Sequence, residues 1–206
     1  MAFSNWKICP CFEPTGRRCK MNSRSFFWIG IVAFLLTTSG LLQAQDKKYK
    51  YVGSKSCATC HKKEKTGAAY VKWQESKHAE AYTVLASDKA REIAAKKGID
   101  DPQKSDECLQ CHVTGHGVDA SLLGKKYKIE DGVGCESCHG AGSGYKKKKT
   151  MKAISAGKLD GATVGLIKPD EETCRKCHNE KSPTYKEFDY EKRKEEIAHP
   201  TPKKES

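Results

Sequence analysis

Apolar side chains are scarce in this sequence. Only 37% of the 206 residues are hydrophobic, and the mean hydropathy is −0.73. A small domain needs to bury much of its surface to be stable, and this fraction is too low for an ordinary core of protein side chains. The composition therefore favours an interior that contains something besides side chains.

Cysteine and histidine are used sparingly outside one recurring pattern. Three of the eleven cysteines stand in the first 19 residues, and the other eight all fall in four Cys-x-x-Cys pairs. No cysteine beyond residue 44 is left for a structural disulfide, which argues against a disulfide-stabilised fold. Only seven histidines are present, yet one directly follows each of the four pairs.

The repeated pattern, Cys-x-x-Cys-His, is the attachment signature of c-type haem. The two thiols of a motif add to the two vinyl groups of one porphyrin, and the next residue lies under the iron as its proximal ligand. Four covalently attached haems are therefore predicted. The predicted attachment residues are Cys57, Cys60, Cys108, Cys111, Cys135, Cys138, Cys174 and Cys177. The predicted proximal ligands are His61, His112, His139 and His178.

Zinc sites and disulfides are the alternatives that the cysteines alone would allow. Paired Cys-x-x-Cys units also build tetrahedral zinc sites, but such sites do not require a histidine after every pair. Disulfides leave the histidines equally unexplained. Haem is the favoured interpretation, and no catalytic residue is assigned.

Residues 1–44 are expected to be an N-terminal extension and signal peptide, and residues 45–206 a haem-binding domain. Arg24 flanks an apolar run over 26–42, and Ala44 precedes a polar segment as at a cleavage site. Met21 is the more natural start. The pattern predicts export to the periplasm, and the alternative is an uncleaved membrane anchor.

The formal net charge is +12, but no nucleic-acid-binding motif accompanies it. The propionates of four haems would offset much of this charge. Nucleic acid is therefore not an expected partner. The basic run 146–149 predicts either a solvated surface or a docking patch.

Little of the sequence predicts β structure. The expected helices are 64–86, 88–97, 151–159, a short one after Asp170, and 189–198. A short strand is expected over 125–130. The predicted fold class is mainly α with extensive irregular loops, in one small domain wrapped around a four-haem cluster. The apoprotein is expected to be largely unfolded, because cofactor binding and folding are coupled.

Four irons have eight axial positions, and three histidines remain for the distal side. They are His78, His116 and His199. At least one iron is therefore five-coordinate or takes another ligand. His116 stands only four residues after His112, so it is expected to serve another haem or to line a pocket. The fallback distal ligands are Lys147, Lys148 and Met151, of which methionine would raise the potential of its haem.

Four stretches of the chain carry a family resemblance. They are Tyr51-Val52-Gly53, Trp73-x-x-Ser76-x-His78, Cys111-His112-Val113-x-Gly115, and the most specific run, Gly-Val-Gly-Cys-Glu-Ser-Cys-His-Gly over 132–140. Together they resemble the tetrahaem cytochromes c of the cytochrome c-554 type, typified by the carrier that accepts electrons from hydroxylamine oxidation in nitrifying bacteria. The resemblance extends over nearly all of 45–206.

The resemblance implies a mostly helical periplasmic protein with closely stacked and near-perpendicular haem pairs. It implies three bis-histidine haems, with His78 as distal ligand at the third motif and His199 at the fourth, and a five-coordinate haem at His112. At the first motif the chain departs from the family. Lys147 stands where the family has the ligand, and His116 replaces an aromatic residue. We expect His116 to have taken over the first haem.

Multihaem electron transfer in the periplasm is the leading function, with redox proteins docking transiently as partners. The alternative is a small haem enzyme acting on nitric oxide, hydroxylamine or nitrite. Such an enzyme would use the open haem, because an iron with two strong ligands exchanges electrons and little else. A carrier is favoured over an enzyme.

Overall fold

The computed structural model of the protein describes residues 48–200. Within this part of the chain there are eight α-helices and no strand, so the mainly α class with irregular loops is confirmed. The helices are α1 (Lys55–His61), α2 (Ala69–Gln74), α3 (Asp88–Lys96), α4 (Asp106–His112), α5 (Cys135–His139), α6 (Lys148–Ser155), α7 (Glu171–Arg175) and α8 (Tyr190–Ile197). The expected signal peptide, its boundary at residue 45 and the start at Met21 lie outside the described residues.

Short 3-10 turns separate several of the helices. They are Glu64–Thr66, Thr83–Ala86, Ala120–Leu122, Ile129–Asp131 and Gly161–Val164. The expected strand over 125–130 is wrong, because its second half forms one of these turns. A single bridge between Tyr51 and Leu123 is the β pairing found within residues 48–200. None of the helices described is long and apolar enough to span a bilayer.

The expected long helix over 64–86 is also wrong. Gly67 ends the first turn with φ 82°, and Ala68 follows with φ 47°, so two consecutive residues take the left-handed conformation. A right-handed helix cannot continue through them. The chain restarts as α2 and then proceeds through turns.

Two expected helix starts are confirmed, and at each of them a side chain caps the helix. Asp170 accepts a hydrogen bond from the Thr173 N–H at 2.9 Å, and Asp189 accepts one from the Lys192 N–H at 3.2 Å, so both predicted starts are confirmed. Helix α3 is capped by Ser87 rather than by Asp88. Helix α6 covers 148–155 instead of 151–159.

The side-chain core is small. Leu85, Leu109 and Val113 form one buried cluster next to the second motif. Within the described residues no large side chain is less than 2% exposed. These few buried side chains provide little of the packing that a stable fold needs.

Candidate haem-binding site

Each Cys-x-x-Cys-His motif is wound as one helical turn. Residues three and four positions apart lie on the same face of a helix. In α1 this places Cys57, Cys60 and His61 together, and α4 and α5 do the same for the second and third motifs. After α7 ends, the His178 N–H still donates to the Cys174 carbonyl at 3.0 Å, so the turn continues through the fourth motif. Both sulfurs and the imidazole thus face one side, as one porphyrin requires.

The first and third motifs share a cavity of about 640 Å³. This volume lies in the range of pockets that hold small molecules and cofactors. Four histidines line the cavity, namely His61, His78, His139 and His199. Its apolar lining includes Trp73, Met151, Ile154 and Leu166. An apolar wall with imidazoles suits a porphyrin, whose ring is largely apolar and whose iron takes nitrogen ligands.

The first and third motifs meet at their cysteines. A hydrogen bond between the two thiols raises the pKa of Cys57 and lowers the pKa of Cys135. Sulfurs that have formed thioethers no longer titrate. After the thioethers have formed, Cys57 and Cys135 still lie next to each other, so the attachment points of two porphyrins are neighbours.

The third, fourth and second motifs continue this series. Burial, followed by the neighbouring thiol of Cys174, raises the pKa of Cys138. Burial, followed by the neighbouring thiol of Cys111, raises the pKa of Cys177. The cysteines of successive motifs therefore lie near enough to interact in the order first, third, fourth, second.

Backbone carbonyls orient three of the candidate ligands. The contacts are His112 Nδ1 to Ala81 O (2.5 Å), His139 Nδ1 to Ile167 O (3.2 Å) and His199 Nδ1 to Ile197 O (2.9 Å). A carbonyl oxygen only accepts, so each Nδ1 carries the proton. The lone pair is then on Nε2, where a metal binds, and such outer contacts are typical of metal-binding histidines.

Two proximal candidates face a second imidazole. The ring centroids of His139 and His199 are 5.9 Å apart, and those of His178 and His78 are 6.0 Å apart. Two metal–nitrogen bonds of about 2 Å each, with the offset of each nitrogen from its ring centre, add up to roughly 6 Å. Each pair would therefore suit one haem iron bound between its two rings. Phe188 stacks on His178 with ring centroids 4.6 Å apart and so fixes that ring.

This pairing differs from the one that the family resemblance implies. The His78 carbonyl accepts a hydrogen bond from Val133, just before the third motif, but the His78 ring faces His178 of the fourth. His199 reaches the third motif because its segment packs on Gly67, where an added Cβ would lie 2.6 Å from the His199 carbonyl oxygen. The rings therefore lie closest to the motifs in the opposite order, while the distal role of His78 and of His199 stays a prediction.

His116 lies elsewhere. Its Nε2 is 3.2 Å from Oδ1 of Asp106, and it does not line the cavity that contains His61. The expected meeting of His116 with His61 is not observed, and ligation by His116 stays a prediction. Neither His61 nor His112 has a second imidazole stacked against it or edge-on to it among residues 48–200.

Burial favours the neutral form of three histidines that line the cavity. It lowers the pKa of His61, His78 and His139, and a neighbouring imidazole lowers each of them further. Metals bind the neutral ring. The electrostatic environment thus favours the ligating form at neutral pH.

Sequence reasoning missed Glu136, which lies inside the third motif. Its side chain is 3% exposed and accepts hydrogen bonds from the N–H groups of Val52 (2.8 Å), Gly53 (2.8 Å) and Gly142 (2.6 Å). The first two donors precede α1 and the third follows α5, so one carboxylate ties the first motif to the third. An acid within the motif, where haem attachment needs none, was the available signal.

Comparison with known proteins agrees with the geometry. The family model described as "Cytochrome c554 and c-prime" matches residues 56–140, which contain the first three motifs. Cytochrome c-554 of Nitrosomonas europaea is 33% identical over 162 residues. The chain belongs to the cytochrome c-554 family. The aligned part covers 72% of this chain and 66% of that relative, just under two thirds of its length. No solved structure matches the chain.

Membership of the cytochrome c-554 family settles the cofactor. The chain binds haem c covalently, as its motifs predicted, and four motifs are consistent with four haems. No group of three or more His, Cys, Asp or Glu side chains around a common metal position occurs within the described part. A haem iron takes at most two ligands from the protein, so a haem site needs no such group.

Proposed function

We propose that this chain is a periplasmic electron carrier with four covalently attached haems, three of them six-coordinate and one five-coordinate. The haems supply reversible one-electron transfer at iron. The observation that carries the proposal is the series of neighbouring cysteines: Cys57 and Cys135 are hydrogen-bonded, Cys138 and Cys174 are close enough to interact electrostatically, and Cys177 and Cys111 are hydrogen-bonded. Haems attached at neighbouring cysteines would lie close enough together to pass electrons from one to the next.

The protein's own residues would hold and orient the haems. The eight motif cysteines attach the porphyrin edges, and the four motif histidines ligate from the proximal side. We assign His199 as distal ligand opposite His139, and His78 opposite His178, on the basis of their ring separations. Carbonyl contacts at Nδ1 fix the tautomer in which Nε2 binds.

The partners in this proposal are redox proteins that dock transiently. Lys146, Lys147, Lys148 and Lys149 are all exposed. A cationic patch steers an acidic partner and sets the rate of encounter more than the affinity. The periplasmic location is supported by the signal-like segment in the sequence.

The experiment compares two holoprotein variants that each lack one haem. Replacing Cys174 and Cys177 by serine removes an internal link of the proposed order, and replacing Cys57 and Cys60 removes only its end. After flash reduction, we expect slow redistribution of electrons among the remaining haems in the first variant and wild-type speed in the second. Mass spectrometry of the wild-type protein gives the haem count. A mass without four haem increments, or equal rates in both variants, would contradict the proposal.

One observation favours a second function. His61 and His112 both lack a stacked or edge-on imidazole partner within residues 48–200, and of the two the family resemblance leaves the haem at His112 open, so this haem is the candidate for an open position. The alternative is a small redox enzyme that acts there on nitric oxide, hydroxylamine or nitrite. Electron paramagnetic resonance of the oxidised holoprotein, with and without nitric oxide, tests this alternative. Low-spin signals that nitric oxide leaves unchanged would remove it.

A further inference from the structure

We infer that Met151 is the distal ligand of the haem at the first motif. The inference rests on the proposed haem assignment and concerns the position where the chain departs from its family. Met151 and His61 line the same cavity. Met151 lies on α6, and Ile154, three residues later on the same helix face, also lines the cavity.

The two other histidines of this cavity that stand outside a motif lie opposite the histidines of the third and fourth motifs. His199 stands 5.9 Å from the His139 ring, and His78 stands 6.0 Å from the His178 ring. Each distance would suit a pair of imidazoles that bind the same iron from opposite sides. No histidine that lines the cavity is then left for the iron of His61.

The other donors suggested by the sequence are directed away from the cavity. His116 has its Nε2 at the carboxylate of Asp106 and does not line the cavity. Lys147 and Lys148 are exposed, and neither lines the cavity, whereas Met151 is partly buried. A lysine would also have to lose its proton to bind iron, but a thioether sulfur is a ligand at any pH.

Methionine opposite histidine is an established pair of haem ligands and raises the reduction potential relative to two histidines. The haem of the first motif is then the most oxidising of the six-coordinate haems. Since this haem is one end of the proposed order, electrons entering at the second motif would come to rest at the first.

The test uses a sequence property of the chain. Its three methionines are Met1, Met21 and Met151, so a protein processed within 22–44 contains Met151 alone. An iron–sulfur charge-transfer band in the far-red spectrum of the oxidised holoprotein would then come from this residue. We expect the band in the wild-type protein, its loss in Met151→Leu and in Met151→His, and its retention in Ile154→Leu. Leucine conserves the volume of methionine, and histidine restores six-coordination with a lower potential for one of the four haems.

The outcomes separate this inference from the proposed function. Wild-type protein with four haems but no such band overturns the methionine ligand and leaves the carrier intact. A His116→Gln variant that becomes high-spin at one haem, while Met151→Leu stays low-spin, would also overturn it. Protein without haem contradicts both.

Discussion

At the scale of single residues, Glu136 connects two haem motifs. Its carboxylate accepts three backbone N–H groups from segments 84 and 6 residues away in sequence. Buried N–H groups that lose their acceptor are costly, because water cannot replace it. The distance between the first and third haems is therefore expected to depend on this one side chain.

Glu136→Gln is expected to destabilise the holoprotein by about 2 kcal/mol or more, since the amide removes the charge and directs an NH₂ group at backbone donors. Guanidinium unfolding followed by haem absorbance measures this loss. Glu172→Gln is the matched control, because Glu172 is exposed beside the fourth motif. Equal stability of the two variants would show that the Glu136 contacts do not support the fold.

Asp131 is expected to destabilise the folded protein at neutral pH, whereas Glu136 stabilises it. Its Oδ2 is buried without a hydrogen-bond partner among the described residues. Burial raises the pKa of Asp131 and outweighs the opposing backbone hydrogen bond from Ser54 and the charges of Lys128 and Lys55, while nearby Glu130 raises the pKa further. The folded state therefore holds its proton to a higher pH than the unfolded chain does. Stability contributed by this group falls as the pH rises above the ordinary aspartate pKa.

Asp131→Asn is accordingly expected to be more stable than wild type at neutral pH, with the advantage disappearing below about pH 4. Asp119→Asn should behave in the reverse manner, because hydrogen bonds from Ser121 lower the pKa of Asp119. Unfolding curves of both holoproteins from acid to neutral pH compare the signs. The same pH dependence in both variants would exclude this account.

At the scale of elements, Gly67 positions the segment that carries His199. An added Cβ would lie 2.6 Å from the His199 carbonyl oxygen and 2.8 Å from that of Pro200. Backbone atoms cannot yield to such a contact as a flexible side chain would. The break in the expected helix over 64–86 is thus the place where the C-terminal segment packs.

Gly67→Ala is therefore expected to displace His199 and to convert one low-spin haem to high-spin. Gly98→Ala is the matched control, because Gly98 also has a positive φ of 70° but no atom within 4 Å of its added Cβ. Both variants carry the same backbone strain. Electron paramagnetic resonance counts the high-spin haems, and an unchanged count in Gly67→Ala would show that His199 is not held as a ligand in this way.

The sequence predicted those elements that local chemistry determines. A side-chain cap at Asp170 or Asp189 acts within four residues, so the starts of α7 and α8 were predictable. The break at Gly67 depends on a segment more than 130 residues later, and no local pattern reports it. The same reason explains His116: its contact with Asp106 arises from the folded loop, whereas the sequence showed only a histidine without a partner.

At the scale of the whole molecule, short helices surround little side-chain core. The helices within residues 48–200 have five to nine residues. Helices shorter than about 12 residues are marginal in water unless they pack against something. The buried side chains are few, and the cavity between the first and third motifs is lined by candidate haem ligands. These helices are therefore expected to pack against haem.

Chain made without haem attachment is therefore expected to be largely unfolded, with weak helical circular dichroism and an expanded hydrodynamic radius. Holoprotein of the same sequence should be compact. Variants that lack a single haem should fall between these two states. Loss of the fourth haem should destabilise the protein more than loss of the first, because the cysteines of the fourth motif lie near those of two other motifs and the cysteines of the first lie near those of one. Size-exclusion chromatography and thermal unfolding of the two single-haem deletions measure this difference. A compact, cooperatively melting apoprotein would mean that the polypeptide folds first and that haem only fills a space already formed.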